Sequence, residues 1–254
     1  AVEVFDRHFP VGCFGRYAVY GNVIVAAGQQ DQFGGWCFVG LGEVAVIFQK
    51  TVDANNGLFG LADQEVEITH VGDAMAIGLP ESEAAIYAQS DNSTVDVWAG
   101  GGSVHGNQNG IFALGAGNVN VTFDTGDVTA DVQRGIFAQS SGGDVQVDII
   151  GGRILADGST GDSDGVFANA LAGGAVINVD AGSWITGGSD PSASFAVEFG
   201  TSGGTNMLTN YGLLDDANGG KTIGGDASDE IVYNYGMVDG DFYLGGGANR
   251  FDNM

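Results

Sequence analysis

The phrase Gly-Ile-Phe-Ala stands at Gly110 and again at Gly135, and returns as Gly-Val-Phe-Ala at Gly165. Looser relatives are GLFG at Gly57, AIYA at Ala85 and SFAV at Ser194, so the phrase recurs at intervals of 28, 25, 25, 30 and 29 residues. After each copy comes a second alternating stretch: VEI at Val66, VDVW at Val95, VNVTF at Val119, VQVDI at Val145 and INVD at Ile177. A third follows: MAI at Met75, SVHG at Ser103, DVTA at Asp127, RILA at Arg153 and WITG at Trp184. From second to third stretch the step is nine residues each time, Val95 to Val104, Val119 to Val128 and Val145 to Ile154.

These stretches alternate apolar and polar residues, the period of a strand buried on one face. No segment keeps a helical period over three turns. Gly, Asn, Asp and Ser fill the joints, and 46 glycines against 3 prolines, without a triplet period, fit many tight turns and exclude collagen. Three short strands per coil of 25–30 residues predict an all-β chain, a right-handed parallel β-helix (solenoid). One coil cannot bury its inward face, whereas stacked coils can. At about 4.8 Å per rung, seven coils make a rod of roughly 35 Å. Within the phrase, side chains alternate in direction. Ile86, Ile111, Ile136 and Val166 are expected to point inward, and Tyr87, Phe112, Phe137 and Phe167 to form a ladder on the other face or at a corner. The leading glycine is expected to supply a positive backbone angle.

Three regions follow from the rhythm. Residues 1–50 fit it poorly and read as irregular first coils or a cap, with strands in YAVYGNVIVAA and EVAVIF. Residues 51–207 carry the GIFA-type coils. Residues 208–254 carry a shorter unit, in which Asn210-Tyr211-Gly212-Leu213 and Asn234-Tyr235-Gly236-Met237 stand 24 apart. The rhythm is still running at Met254, so further coils, or another molecule covering the last one, are expected.

The formal charge is 7 − 32 = −25, with the acids scattered. That argues against nucleic acid, whose phosphates need clustered Lys and Arg, and leaves divalent cations, cationic surfaces and neutral glycans. No apolar run reaches the ~18 residues of a membrane-spanning helix. Cys13 and Cys37 form no CxxC pair, so zinc is not indicated. They are the candidate disulfide, closing a loop of about 24 residues for roughly 3 kcal/mol.

The stretches GIFAQSSGGDVQVDIIGGRILADG and NYGMVDGDFYLGGGANRFDN resemble the passenger regions of bacterial autotransporters (type V secretion) over roughly residues 57–254. The resemblance implies a right-handed β-helix, export, a C-terminal outer-membrane barrel in the full-length protein, and an extracellular rod at the bacterial cell surface. The barrel's own strands are not in this chain.

Chemistry-bearing candidates are sparse. GDSDG at Gly161–Gly165 is similar to the serine-nucleophile phrase of protease-type passengers, but Asp164 stands where the oxyanion turn needs glycine. His8, His70 and His105 have no partner pattern, so Ser163 reads as a turn residue. Asp215-Asp216 is a carboxylate pair of the sort that glycan hydrolysis uses, and reads as a solvated turn. Asp226, Asp229 and Glu230, with Asp239 and Asp241, are weak candidates for Ca²⁺ through hard oxygens. Otherwise no cofactor is expected. Trp98, Trp184, Tyr211, Tyr233, Tyr235 and Tyr243 either line a glycan face or pack as ladders. The longer insertions, Asp157–Asp164 and Gly187–Ser192, are the first places to seek a contact surface.

The function expected is a non-enzymatic, surface-exposed or secreted rod in structural or adhesive contact. Its partner would be a glycan or protein of a host or neighbouring cell, or itself. The alternatives are a polysaccharide-degrading β-helix enzyme, whether lyase, hydrolase or phage depolymerase, and a self-assembling extracellular filament subunit. Convergence of acids from adjacent coils separates the enzyme from the others.

Overall fold

A computed structural model describes residues 19–20, 23–24, 36–40, 44–48, 52–54, 58–62, 65–76, 84–159, 162–190, 192–216 and 221–254. Val19–Tyr20 and Val23–Ile24 pair antiparallel. All other strands run parallel in three sheets of nine, nine and eight strands, and each sheet takes every third strand of the chain. One coil is Ile136–Ser140 in the first sheet, Val145–Ile149 in the second and Arg153–Ala156 in the third. The next coil repeats these as Val166–Ala170, Ala175–Val179 and Trp184–Thr186, paired rung on rung. The chain is a right-handed parallel β-solenoid, the hand that parallel crossovers almost always take.

The stack is longer than seven coils. Trp36–Gly40 and Val44–Phe48 already pair with Leu58–Ala62 and Val66–Val71, and Asp241–Tyr243 and Arg250–Asn253 add a ninth rung to the first two sheets. Strands on both sides of residue 208 belong to the same sheets.

The core follows from the alternation. Leu58, Ile86, Ile111, Ile136, Val166, Val197 and Ile223 occupy one column of the first sheet in register, and all are buried. Val66, Val95, Val119, Val145 and Ala175 form a column in the second, and Val104, Val128, Ile154, Ile185 and Leu214 one in the third. Burying each larger aliphatic contributes about 1.5–3 kcal/mol. The aromatic residues of the phrase stack outside: centroids lie 4.8 Å apart for Tyr87–Phe112, 4.6 Å for Phe112–Phe137 and 5.4 Å for Phe137–Phe167. The inward and outward assignments made from the sequence both hold.

The leading glycine serves a different purpose from the one expected. Among the described residues, positive backbone angles fall at Gly72, Gly101, Gly126, Gly152, Gly182, Gly240, Gly245 and Gly247, and not at Gly110, Gly135 or Gly165. Those three are needed for space. A Cβ on Gly135 would lie 2.5 Å from Ile154 Cγ2 and 2.6 Å from the Gly165 carbonyl oxygen, and Gly110 and Gly165 are equally tight. The corner between third and first sheets brings backbone against backbone, and only hydrogen fits there.

Past residue 205 the interior turns polar at two columns. Asn210 Nδ2 donates to Asn234 Oδ1 at 2.8 Å, and Asn234 Nδ2 to Asn253 Oδ1 at 2.7 Å. This explains the repeated N-x-G: each asparagine amide bridges to the asparagine of the next coil, and the Gly212 N–H is held by Asn210 Oδ1 at 3.0 Å.

Candidate functional site

One group of charged side chains from three successive coils meets at the tight corner. The residue just before the phrase glycine is Arg134 in one coil and Asp164 in the next. Gly135 N–H donates to the Asp164 carbonyl at 2.9 Å, which fixes the two positions rung over rung. Arg134 Nε then reaches Asp164 Oδ2 at 2.9 Å, and its Nη2 approaches Asp162 Oδ2 at 3.4 Å. The Asp164 side chain is fully buried, and that of Arg134 is 15% exposed. Asp164 Oδ1 also accepts the Phe195 N–H at 3.1 Å.

The third coil contributes Glu198, through a register that the sequence phrase misplaces. The spacing of SFAV from the preceding phrase predicts that Phe195 pairs with Val166. In the structure Val166 pairs with Val197 and Phe167 with Glu198, a slip of two residues. AVEF, not SFAV, is therefore the degraded copy, and Glu198 takes the aromatic position. The Arg134 guanidinium lies beside the last two rings of the ladder, 4.2 Å from the Phe167 centroid and 5.5 Å from that of Phe137. The aromatic column thus ends on Glu198, with a cation against its last two rings, and the cation is matched to the acids around it.

Burial pushes the Glu198 carboxyl up to about 9, and the charge and hydrogen bond of Asp164 push the same way. Burial also raises Asp164, against Arg134 and the bonds it accepts. The shared proton resides on Glu198, because Asp164 is the group that touches the guanidinium. At neutral pH Glu198 is therefore a neutral carboxylic acid beside Asp164 and the Arg134 guanidinium. Its carboxyl groups are bonded to each other, closer than the ~5 Å or more that separates glycosidase pairs.

The described parts of the two long insertions are bonded to each other beside this corner. Gly188 N–H donates to the Ser163 carbonyl at 2.6 Å and Ser189 N–H to that of Gly158 at 2.9 Å. The Ser163 hydroxyl is buried and donates to the Val132 carbonyl at 2.7 Å, so it acts as a turn group, as the sequence reading had it.

The other candidates lie apart. His8 lies outside the described residues. His70 is fully buried in the second sheet, and burial pushes its pKa down. His105 is on the third sheet, 2.6 Å from Thr129 Oγ1 and 3.5 Å from Asp131. Asp215 stacks over Asp239 in register on the third sheet, and the Asp216 N–H donates to the Asp239 carbonyl at 3.3 Å.

Of the calcium candidates, Asp226 bonds Thr201, Asp229 Oδ1 accepts the Ala248 N–H at 2.6 Å, and Glu230 Oε1 accepts Asn206 Nδ2 at 3.3 Å. Asp239 and Asp241 lie on different sheets. Among the described residues no three His, Cys, Asp or Glu side chains are grouped to hold a metal. Cys13 lies outside the described residues, and only the backbone of Cys37 lies within them.

The six aromatic candidates spread over two sheets, a corner and the ninth rung, and several ring faces are occupied. Tyr211 and Tyr235 face each other at 4.6 Å, and Arg153 lies 4.4 Å over Trp184. Ladder packing describes the Tyr211–Tyr235 pair.

The Arg134–Asp164–Glu198 group was missed from the sequence. Its signal was present: Arg134 and Asp164 hold the same place in consecutive repeats with opposite charge. Compared with protein-family models, with curated proteins and with solved structures, the chain matches none.

Proposed function

We propose that this chain is the rod of a bacterial surface-exposed or secreted passenger of autotransporter type, making structural and adhesive contacts without catalysis of its own. One observation carries the reading: three sheets stay paired rung on rung from Trp36 to Asn253, with a register shift between Lys221 and Ile223 at the last rung of the first sheet, around an interior of aligned aliphatic columns. A stack of that kind resists bending, because each rung is hydrogen-bonded to two others. It holds its outer columns at fixed spacing, which suits repeated weak contacts with a glycan or protein on another cell. The charge of −25 keeps such a rod soluble and separate from its neighbours. The test is to couple the chain to beads and count their attachment to bacterial and epithelial cells. Attachment above that of uncoated beads is expected; equal counts sink the proposal.

A second reading, polysaccharide cleavage, is favoured by the convergence of Asp162, Asp164 and Glu198 from adjacent coils. New reducing or unsaturated sugar ends, lost in Glu198→Gln, would establish it in place of the first.

A further inference from the structure

The outer face of the third sheet changes character along the rod. Its leading outward column reads Ser103, Asp127, Arg153, Trp184, Leu213, Met237. Its first half is polar and its second apolar. Beside the apolar half, at the corner entering the sheet, stands the Tyr211–Tyr235 stack. Trp184, Tyr211, Tyr235 and Met237 are 36%, 48%, 45% and 62% exposed. Side chains of this size, held side by side by the rung spacing, form one contiguous apolar strip, and such strips mark interaction sites.

The next outward position on the same strands is acidic. Asp215 and Asp239 are paired rungs, about 4.8 Å apart. Burial, and the negative charges of Asp239 and Asp216, hold the Asp215 carboxyl above its ordinary range. Arg153, the one Lys or Arg on the strands of this sheet, is engaged with the Trp184 ring. The Trp184 side chain hydrogen-bonds Asp215, and no Lys or Arg on the strands of this sheet pairs with Asp215 or Asp239, so the strip is apolar on one side and acidic on the other.

The geometry points to this face as the docking surface for a basic polypeptide segment that also carries apolar side chains. Its Lys or Arg would sit on Asp215 and Asp239, and its apolar side chains on Trp184, Leu213, Met237 and the tyrosine pair. The inference deepens the adhesive reading, on which it rests, by naming the face and the partner's chemistry. A second copy of this chain is disfavoured by two charges of −25 meeting. A neutral glycan is disfavoured because the stacked tyrosines turn edges rather than faces outward.

The test uses the whole chain with Trp36→Phe and Trp98→Phe, so that Trp184 alone reports. The probe is a ten-residue peptide alternating Lys and Leu; a Lys–Ser peptide of equal charge is the comparison. The Lys–Leu peptide should shift Trp184 emission and bind about tenfold more tightly than Lys–Ser. Asp215→Asn with Asp239→Asn should weaken it about three- to tenfold, and Glu67→Gln with Asp157→Asn, exposed acids elsewhere, by less than about twofold. Equal binding of the two peptides, equal loss in both neutralised pairs, an unchanged Trp184 emission, or preference for a neutral oligosaccharide overturns the inference. Bead attachment that persists in Trp184→Ala/Met237→Ser also overturns it, while leaving the adhesive reading intact. Attachment absent from the unaltered chain overturns the reading itself.

Discussion

Replacing Glu198 by glutamine separates the proton from the hydrogen bond it makes. The side chain is largely buried, and its carboxyl titrates at about 9 against an ordinary 4.5. Between those values the folded chain holds a proton that the unfolded chain has released. Stability is therefore full below about pH 4.5 and falls as pH rises toward 9. At about 1.36 kcal/mol per pH unit, the distance from 4.5 to 9 sets a ceiling of roughly 6 kcal/mol. Opening of the corner toward solvent reduces the expected fall to about 2–4 kcal/mol. Glutamine donates to Asp164 through its amide and has nothing to titrate. Thermal unfolding of both proteins at pH 5, 7 and 9.5 is the assay, because the difference between them cancels the acids that do not touch Glu198. The two should melt together at pH 5, and the variant should melt several degrees higher at pH 9.5. A constant difference at all three pH values would refute the assignment of the proton to Glu198.

Three further outcomes follow from the same geometry. Asp164→Asn leaves Arg134 nearly buried with only the exposed Asp162 carboxylate to pair it and should cost at most about 3–5 kcal/mol in chemical denaturation at pH 7. Gly135→Ala places a methyl group against the Gly165 carbonyl oxygen and Ile154, and should cost about 1–3 kcal/mol by the same measurement. His70 is buried, so its folded pKa lies below the ordinary 6.5 and the unfolded chain takes up a proton first. Stability is then lost as pH falls below about 6.5, and His70→Leu should raise the melting temperature at pH 5 more than at pH 8.

The strands were legible because the alternation and the nine-residue step are direct consequences of a fixed coil cross-section. Ile136 and Phe137 could be sent to opposite faces from strand geometry alone. The purpose of Gly135 was not legible. Its constraint comes from Ile154 and Gly165, residues of other strands, and no local angle announces it. The slip at Ser194 has a similar origin. Phe195 and Phe199 both resemble the repeat's aromatic residue, and only the backbone bond from Gly165 to Phe195 selects the register that puts Glu198 over Phe167. The Arg134–Asp164–Glu198 group was hidden by that slip. A charge in an apolar column reads as an error until the opposite charge one rung away is aligned with it. The asparagine columns were visible as a spacing of 24 between Asn210 and Asn234. Their inward direction, and their bonding from coil to coil, required the third dimension.

The central claim is an unbroken ladder at constant rise, and spin-label distances along one outer column measure it directly. Thr69, Asp148, Thr209 and Asp252 lie in the same column of the second sheet, with Trp98 and Thr122, Asn178, and Tyr233 between them. Labels are placed at Thr69 and, in turn, at each of the other three, in a chain with Cys13→Ser and Cys37→Ser. The separations are three, five and seven rungs, so the distances should be narrow and increase by about 10 Å at each step. Broad distributions, or distances that fail to grow linearly with rung number, would contradict the stack.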